Sequence, residues 1–168
     1  LFFDSLAKDA FALTNADDRN GEVMVQNTRA RVFDYSVRAD ADFRGRIIEN
    51  RLDGMLISFN GTEVETLFTG RFNASNLTAV YGAATLLGFD PERLPQAMSA
   101  LVPVAGRFQT FRSPSGVTAI VDYAHTPDAL INVLDTIRDI VGRGRQHVIT
   151  VCGCGGDRDR GKRPMMAA

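Results

Sequence analysis

Val117-Thr118-Ala119-Ile120-Val121-Asp122-Tyr123-Ala124-His125-Thr126-Pro127-Asp128 reads as a strand, a turn and the start of a helix. The first five residues are apolar or β-branched without alternation, the pattern of a strand covered on both faces. Thr126, Pro127 and Asp128 supply in order an N-cap, a proline suited to the first helical position, and a first-turn acid. Leu130, Val133, Leu134, Ile137 and Val141 then recur at helical spacing, and Gly142 ends the run. His147 to Val151 is a second apolar run and reads as a second strand. Strand, helix and strand at this spacing predict a βαβ unit, parallel pairing and an α/β fold of the doubly wound kind.

Upstream the texture differs. Ala10–Thr14, Val23–Gln26 and Val32–Val37 read as strands, the first running into the turn residues Asn15-Ala16-Asp17-Asp18. Arg46–Glu49, Gly54–Phe59 and Val64–Phe68 read as an antiparallel meander. Asn60-Gly61 between the last two is a strong hairpin signal, because both residues tolerate positive φ. From Asn73 to Leu87 the spacing becomes helical, with Leu77, Val80, Tyr81, Ala84 and Leu87 on one face and Gly88 placed to end it. Asp90-Pro91-Glu92 opens a second helix bearing Leu94, Ala97, Met98 and Leu101. Pro103–Arg107 reads as a linker, which divides the chain into residues 1–105 and 106–168.

The chain has 168 residues, 45% hydrophobic, with a formal net charge of -1. That suits a globular chain with a real core and argues against disorder and against a general nucleic-acid binder. No apolar run approaches the ~18 residues of a membrane span. The charge is uneven. Residues 1–105 carry 10 Lys+Arg against 14 Asp+Glu, and residues 106–168 carry 9 against 6. Four of those nine fall between Arg158 and Arg163, and a compact basic loop on a near-neutral chain suggests a small anionic ligand. Cys152 and Cys154 are too close together to staple a fold and suit a reducing cytosol. They read as small residues packed under a loop, and no metal site is predicted. Leu1-Phe2-Phe3 reads as the end of a helix begun upstream, and Pro164–Ala168 as the first turn of another. The expectation is a piece of a longer enzyme.

Gly153-Cys154-Gly155-Gly156-Asp157-Arg158-Asp159-Arg160-Gly161-Lys162-Arg163-Pro164 lies after an apolar run and before a helix start, where α/β folds place ligands. Gly156 to Lys162 fits the opening of a P-loop. However, Arg163 stands where the Mg²⁺-binding Ser/Thr belongs, and Asp157 and Asp159 would face phosphates. The dinucleotide pattern fails because Arg158 takes the third glycine position. What remains can grip a zwitterion, Arg taking a carboxylate and Asp an ammonium, or can be a solvated turn whose charges pair with one another. Asp122 stands at a strand end, where a carboxylate can meet a ribose. His125 can contact a ligand or close the turn, and His147 reads as structural. In Gly70-Arg71-Phe72-Asn73-Ala74-Ser75-Asn76, Asn73 or Ser75 can cap the helix, while Asn76 can read a purine edge.

These strings in this order, with Thr14-Asn15-Ala16-Asp17-Asp18 and Gly106-Arg107-Phe108, resemble the Mur ligase family, most of all its tripeptide-synthetase branch. The resemblance spans nearly the whole chain. It implies the second half of a central ATPase domain followed by the start of a Rossmann-like C-terminal domain. It also implies ATP-dependent amide formation in the bacterial cytoplasm, in peptidoglycan synthesis. A carboxylate of UDP-N-acetylmuramoyl-L-Ala-D-Glu becomes an acyl phosphate, which the amine of a diamino acid, meso-diaminopimelate rather than lysine, then attacks. By the same resemblance Asn73, Asn76, Arg107, Asp122, Tyr123 and His125 belong to the nucleotide site, and Arg158, Lys162 and Arg163 to the amino-acid site. The family's P-loop, Mg²⁺ ligands, carbamylated lysine, UDP-binding domain and diaminopimelate motif match nothing in these residues. No catalytic residue is therefore expected here, and the 168 residues alone should not turn over ATP. The alternatives are a sibling ligase, of the folylpolyglutamate or cyanophycin synthetase type, and a stand-alone module for an anionic ligand.

Overall fold

A computed structural model describes residues 2–142, 146–153 and 159–167. It divides into two compact units, Leu1–Val102 and Pro103–Ala168.

In the first unit, β1 (Phe11–Asn15), β2 (Arg31–Ser36), β3 (Phe43–Arg51), β4 (Gly54–Phe59) and β5 (Thr62–Thr66) lie in sequence order in one sheet. β1, β2 and β3 pair in parallel, and β3, β4 and β5 antiparallel, so the sheet is mixed. The expected meander is the antiparallel half. Asn60 (φ 47°) and Gly61 (φ 97°) make its tight turn, both in the left-handed region. The Asn60 side chain also reaches to the start of β3, accepting from Arg44 N and donating to the Asp42 carbonyl.

Val23–Gln26, expected as a strand, belongs instead to the short helix α1 (Gly21–Val25). Only Gly21 and Val25 in it are buried, four residues apart, and Val23 and Met24 face solvent. Strand propensity yields here to helical burial and to the Asp18 and Asn20 carbonyls, which receive the amides of Gly21 and Met24.

Helix α2 (Arg71–Leu86) covers the sheet, with α3 (Leu94–Ser99) beside it. Met55, Ile57, Phe59, Val64, Ala74, Leu77, Leu94 and Met98 form the core between them. Gly88 (φ 81°) follows α2 as expected. Helix α3 starts later than the Asp90-Pro91 signal implies. Residues 91–93 form a turn under the Asp90 carbonyl, which accepts from Arg93 and Leu94, while the Asp90 carboxylate accepts from Glu92 N.

The seating of α2 is close. A Cβ on Gly45 would fall 1.9 Å from Thr78 Oγ1, and one on Gly82 would fall 2.8 Å from Phe43 Cδ2. Thr78 is fully buried and its hydroxyl donates to the Ala74 carbonyl, so it has little room to retreat.

In the second unit, β6 (Gln109–Arg112) and β7 (Thr118–Val121) pair antiparallel. Helix α4 (Pro127–Val141) follows with the expected caps. The Thr126 hydroxyl accepts from Ala129 N, Pro127 opens the helix, and Gly142 (φ 63°) closes it. The expected βαβ unit is only half formed. His147–Val151 carries no ladder among the described residues, and Ile149 and Val151 are 87% and 96% exposed. An apolar run becomes a strand only where a neighbouring edge takes up its backbone groups, and no described strand of this unit does so. Cys152 is exposed rather than packed under the loop, and Cys154 lies outside the described residues. Helix α5 (Lys162–Ala167) begins two residues before the expected Pro164.

Gly45→Ala should lower the unfolding free energy of the first unit by about 1–3 kcal/mol, as overpacking does. Adding Thr78→Ala should recover part of that loss. Urea titration of both variants checks the pair, and additive losses would contradict the close-seating account.

Candidate functional site

The predicted residues fall on both units. Asn73 and Asn76 stand in the first turns of α2. This helix is not capped by a side chain. Gly70, at φ 90°, precedes it and donates its amide to Asn50 Oδ1. Asn73 is buried and its Nδ2 donates to the Thr69 carbonyl at 2.8 Å, so this amide secures the helix start. Asn76 is exposed and presents its amide to the surface. Between them Ser75 hydrogen-bonds the phenol of Tyr35. Burial raises that phenol above 10.0, the Ser75 bond opposes the shift, and Asp17 and Asp18 add to it.

The Asp17 carboxylate ties the motif after β1 to the end of β2. It accepts from the Ser36 hydroxyl at 2.6 Å and from Val37 N at 2.8 Å. A cleft of about 310 Å³ on this unit is lined by Arg44, Arg46, Ser58, Asn60 and Gly61, and includes none of the predicted residues.

In the second unit the predicted residues gather around the turn before β6 and the segment after β7. The Arg107 guanidinium lies over the Tyr123 ring, 5.4 Å from its centroid, an arrangement worth roughly 0.5–1 kcal/mol at an exposed site. The rings of Tyr123 and His125 stand 5.3 Å apart, and His125 Nδ1 is 3.1 Å from the Tyr123 carbonyl. Asp122 Oδ2 accepts from Phe108 N at 2.8 Å. Lys162 Nζ donates to the His125 carbonyl at 3.1 Å, which brings α5 to the same cluster.

Two of these features escaped the sequence reading. Phe108 holds φ 46° with its side chain 4% exposed, a left-handed conformation that costs roughly 1–2 kcal/mol for a residue with a Cβ. No residue pattern announces it, since phenylalanine is not a left-handed former. Asp159 Oδ1 accepts from Gly161 N and Lys162 N at the start of α5, so this acid also secures the helix start. Its place before Gly161-Lys162 was the available signal. Arg163 is exposed, and Arg158 lies outside the described residues.

Comparison with known proteins places this geometry. The model of the Mur ligase middle domain matches residues 1–84, and that of the Mur ligase glutamate ligase domain matches residues 106–168. The chain belongs to the Mur ligase family. It is 61% identical over 166 residues to the UDP-N-acetylmuramoyl-L-alanyl-D-glutamate--2,6-diaminopimelate ligase of Phocaeicola vulgatus, covering 99% of this chain and 34% of that protein. A solved structure of a ligase of the same name matches with a TM-score of 0.66 and 36% identity, over 94% of this chain and 34% of the other. The MurF ligase of Thermotoga maritima, solved in complex with ADP, shares the fold at a TM-score of 0.64 and 18% identity, over 80% of this chain and 32% of that one. This Mur ligase chain thus spans about a third of the length of the relatives it matches. No described helix is long and apolar enough to cross a membrane.

The raised phenol of Tyr35 has a consequence at high pH. The folded state holds that proton more tightly than the unfolded chain. This contribution to stability is therefore complete below pH 10 and is lost as pH rises through the folded value. Tyr35→Phe should flatten that part of the stability curve, measured by denaturant midpoints from pH 8 to 11. An equally steep fall in the variant would contradict the assignment.

Proposed function

We propose that this chain is part of an ATP-dependent ligase. The enzyme would join meso-diaminopimelate to the free carboxylate of UDP-N-acetylmuramoyl-L-Ala-D-Glu, in the bacterial cytoplasm. The observation that carries the reading is the 61% identity over 166 residues, which runs through both units and both residue clusters. In the chemistry proposed, a carboxylate oxygen of the dipeptide takes the γ-phosphoryl group and ADP departs. The amine of the diamino acid then attacks the acyl carbon and phosphate leaves.

The second unit suits a nucleotide. An exposed aromatic ring with a cation over it lies beside a carboxylate at a strand end, and a histidine and a lysine converge on the same turn. In this reading Arg107 meets the phosphates, where charge develops as the γ-phosphoryl group moves. Asp122 accepts from the ribose hydroxyls with the capacity left after Phe108, since a carboxylate has about four acceptor sites. Tyr123 and His125 flank the sugar. On the first unit Asn76 offers donor and acceptor to the adenine edge, and Asn73 holds the helix that carries it. Arg158 takes the carboxylate of the incoming amino acid, with Lys162 and Arg163 lending charge beside it. Mg²⁺, when bound, would neutralise charge on the phosphate oxygens.

The test is turnover by the full-length protein. ADP release should require Mg·ATP, the UDP-linked dipeptide and an amino acid together, with meso-diaminopimelate preferred to L-lysine. Release without the dipeptide, or none with either amino acid, would overturn the reading. Arg158→Ala should raise the KM of the amino acid by about 10- to 150-fold, the loss of one charged hydrogen bond, and leave nucleotide affinity unchanged.

A further inference from the structure

We propose that Asp122 is a positioning residue for Arg107, acting through the backbone of the Gly106–Phe108 turn. The inference deepens the nucleotide reading and rests on it for what Arg107 does, though not for the clamp itself.

Two hydrogen bonds bracket the arginine. The Gly106 carbonyl accepts from Tyr123 N at 2.8 Å, and Phe108 N donates to Asp122 Oδ2 at 2.8 Å. One bond fixes the residue before Arg107, the other the residue after it. Both anchors belong to the consecutive pair Asp122-Tyr123 at the end of β7. The turn closes on itself as well. Arg107 N donates to the Val104 carbonyl, and Gly106 N to Gln109 Oε1, each at 3.0 Å. Gly106 (φ 73°) and Phe108 (φ 46°) are both left-handed, so the chain reverses on either side of Arg107. A phenylalanine holds that conformation only where its surroundings over-determine it. Here the buried ring and the Asp122 carboxylate do so. The side chain of Arg107 is thereby aimed over Tyr123, whose own backbone is half of the clamp. With its backbone held on both sides, the arginine meets a ligand with less backbone freedom to lose.

Asparagine keeps an oxygen for Phe108 N, and alanine does not. That difference supplies the test. Hydrogen–deuterium exchange is followed on the full-length protein without nucleotide, in peptides covering residues 105–111 and helix α4. Asp122→Ala should speed exchange of the turn by about 10-fold, the range expected when one backbone hydrogen bond is lost. Asp122→Asn should stay within about 3-fold of the parent, and α4 should be unchanged in both. Unchanged exchange in Asp122→Ala would overturn the clamp. So would exchange in Asp122→Asn as fast as in the alanine variant while α4 stays protected. If Asp122→Ala also exposes α4, the asparagine variant decides alone, parent-like exchange of the turn supporting the clamp and faster exchange overturning it.

The link to Arg107 is read from the KM for ATP. Arg107→Ala should raise it in the parent and in Asp122→Asn by the same factor, and by less than about 2-fold in Asp122→Ala. An equal factor in all three backgrounds would separate Arg107 from the clamp. The exchange arm needs no nucleotide, so a failed clamp and a failed ligase reading give different results.

Discussion

Helix α2 lies so close to the sheet of the first unit that two contact positions carry no side chain. Gly45 meets Thr78 and Gly82 meets Phe43 at distances that exclude a Cβ. The sheet beneath the helix is mixed. Strand β3 is parallel to β2 on one side and antiparallel to β4 on the other, and its Gly45 lies under α2 near the point where the two halves join. Aromatic rings fill the space beside the glycines, with Tyr81 stacked on Phe59 at 5.0 Å and edge-on to Phe43 at 6.2 Å. The first turns of the same helix carry Asn73, which ties down the helix start, and Asn76, which is left exposed. One helix thus closes the core and carries the exposed amide.

The site of the second unit is held by hydrogen bonds. The unit's sheet has two short strands, and the residues around the site are joined by backbone bonds at the strand end. Asp122 illustrates this. A carboxylate read from sequence as a ligand contact also serves as the local anchor of a strained turn. The two uses are compatible, since one oxygen on one amide leaves acceptor capacity for a sugar hydroxyl.

Elements set by local chemistry were legible in the sequence. Thr126-Pro127-Asp128 capped α4, Asn60-Gly61 turned β4 into β5, and Gly88 followed α2. Elements that depend on a distant partner were not. Val23–Gln26 has strand composition and forms a helix because its backbone finds nearby carbonyls rather than a sheet edge. His147–Val151 has strand composition and no ladder among the described residues. In the site, residue types were readable while their partners were not. Asn73, a candidate cap by its position, proved to be bonded back to Thr69, and nothing in a Gly-Arg-Phe string reveals that its phenylalanine sits at positive φ.

The proposal most open to a direct test is that Arg107 and Asp122 of the second unit contact a nucleotide. The most direct measurement is a structure of the full-length protein with ADP bound. The proposal predicts the ribose hydroxyls on the Asp122 carboxylate and the phosphates on the Arg107 guanidinium. A nucleotide bound with its ribose away from Asp122 and its phosphates away from Arg107 would contradict it.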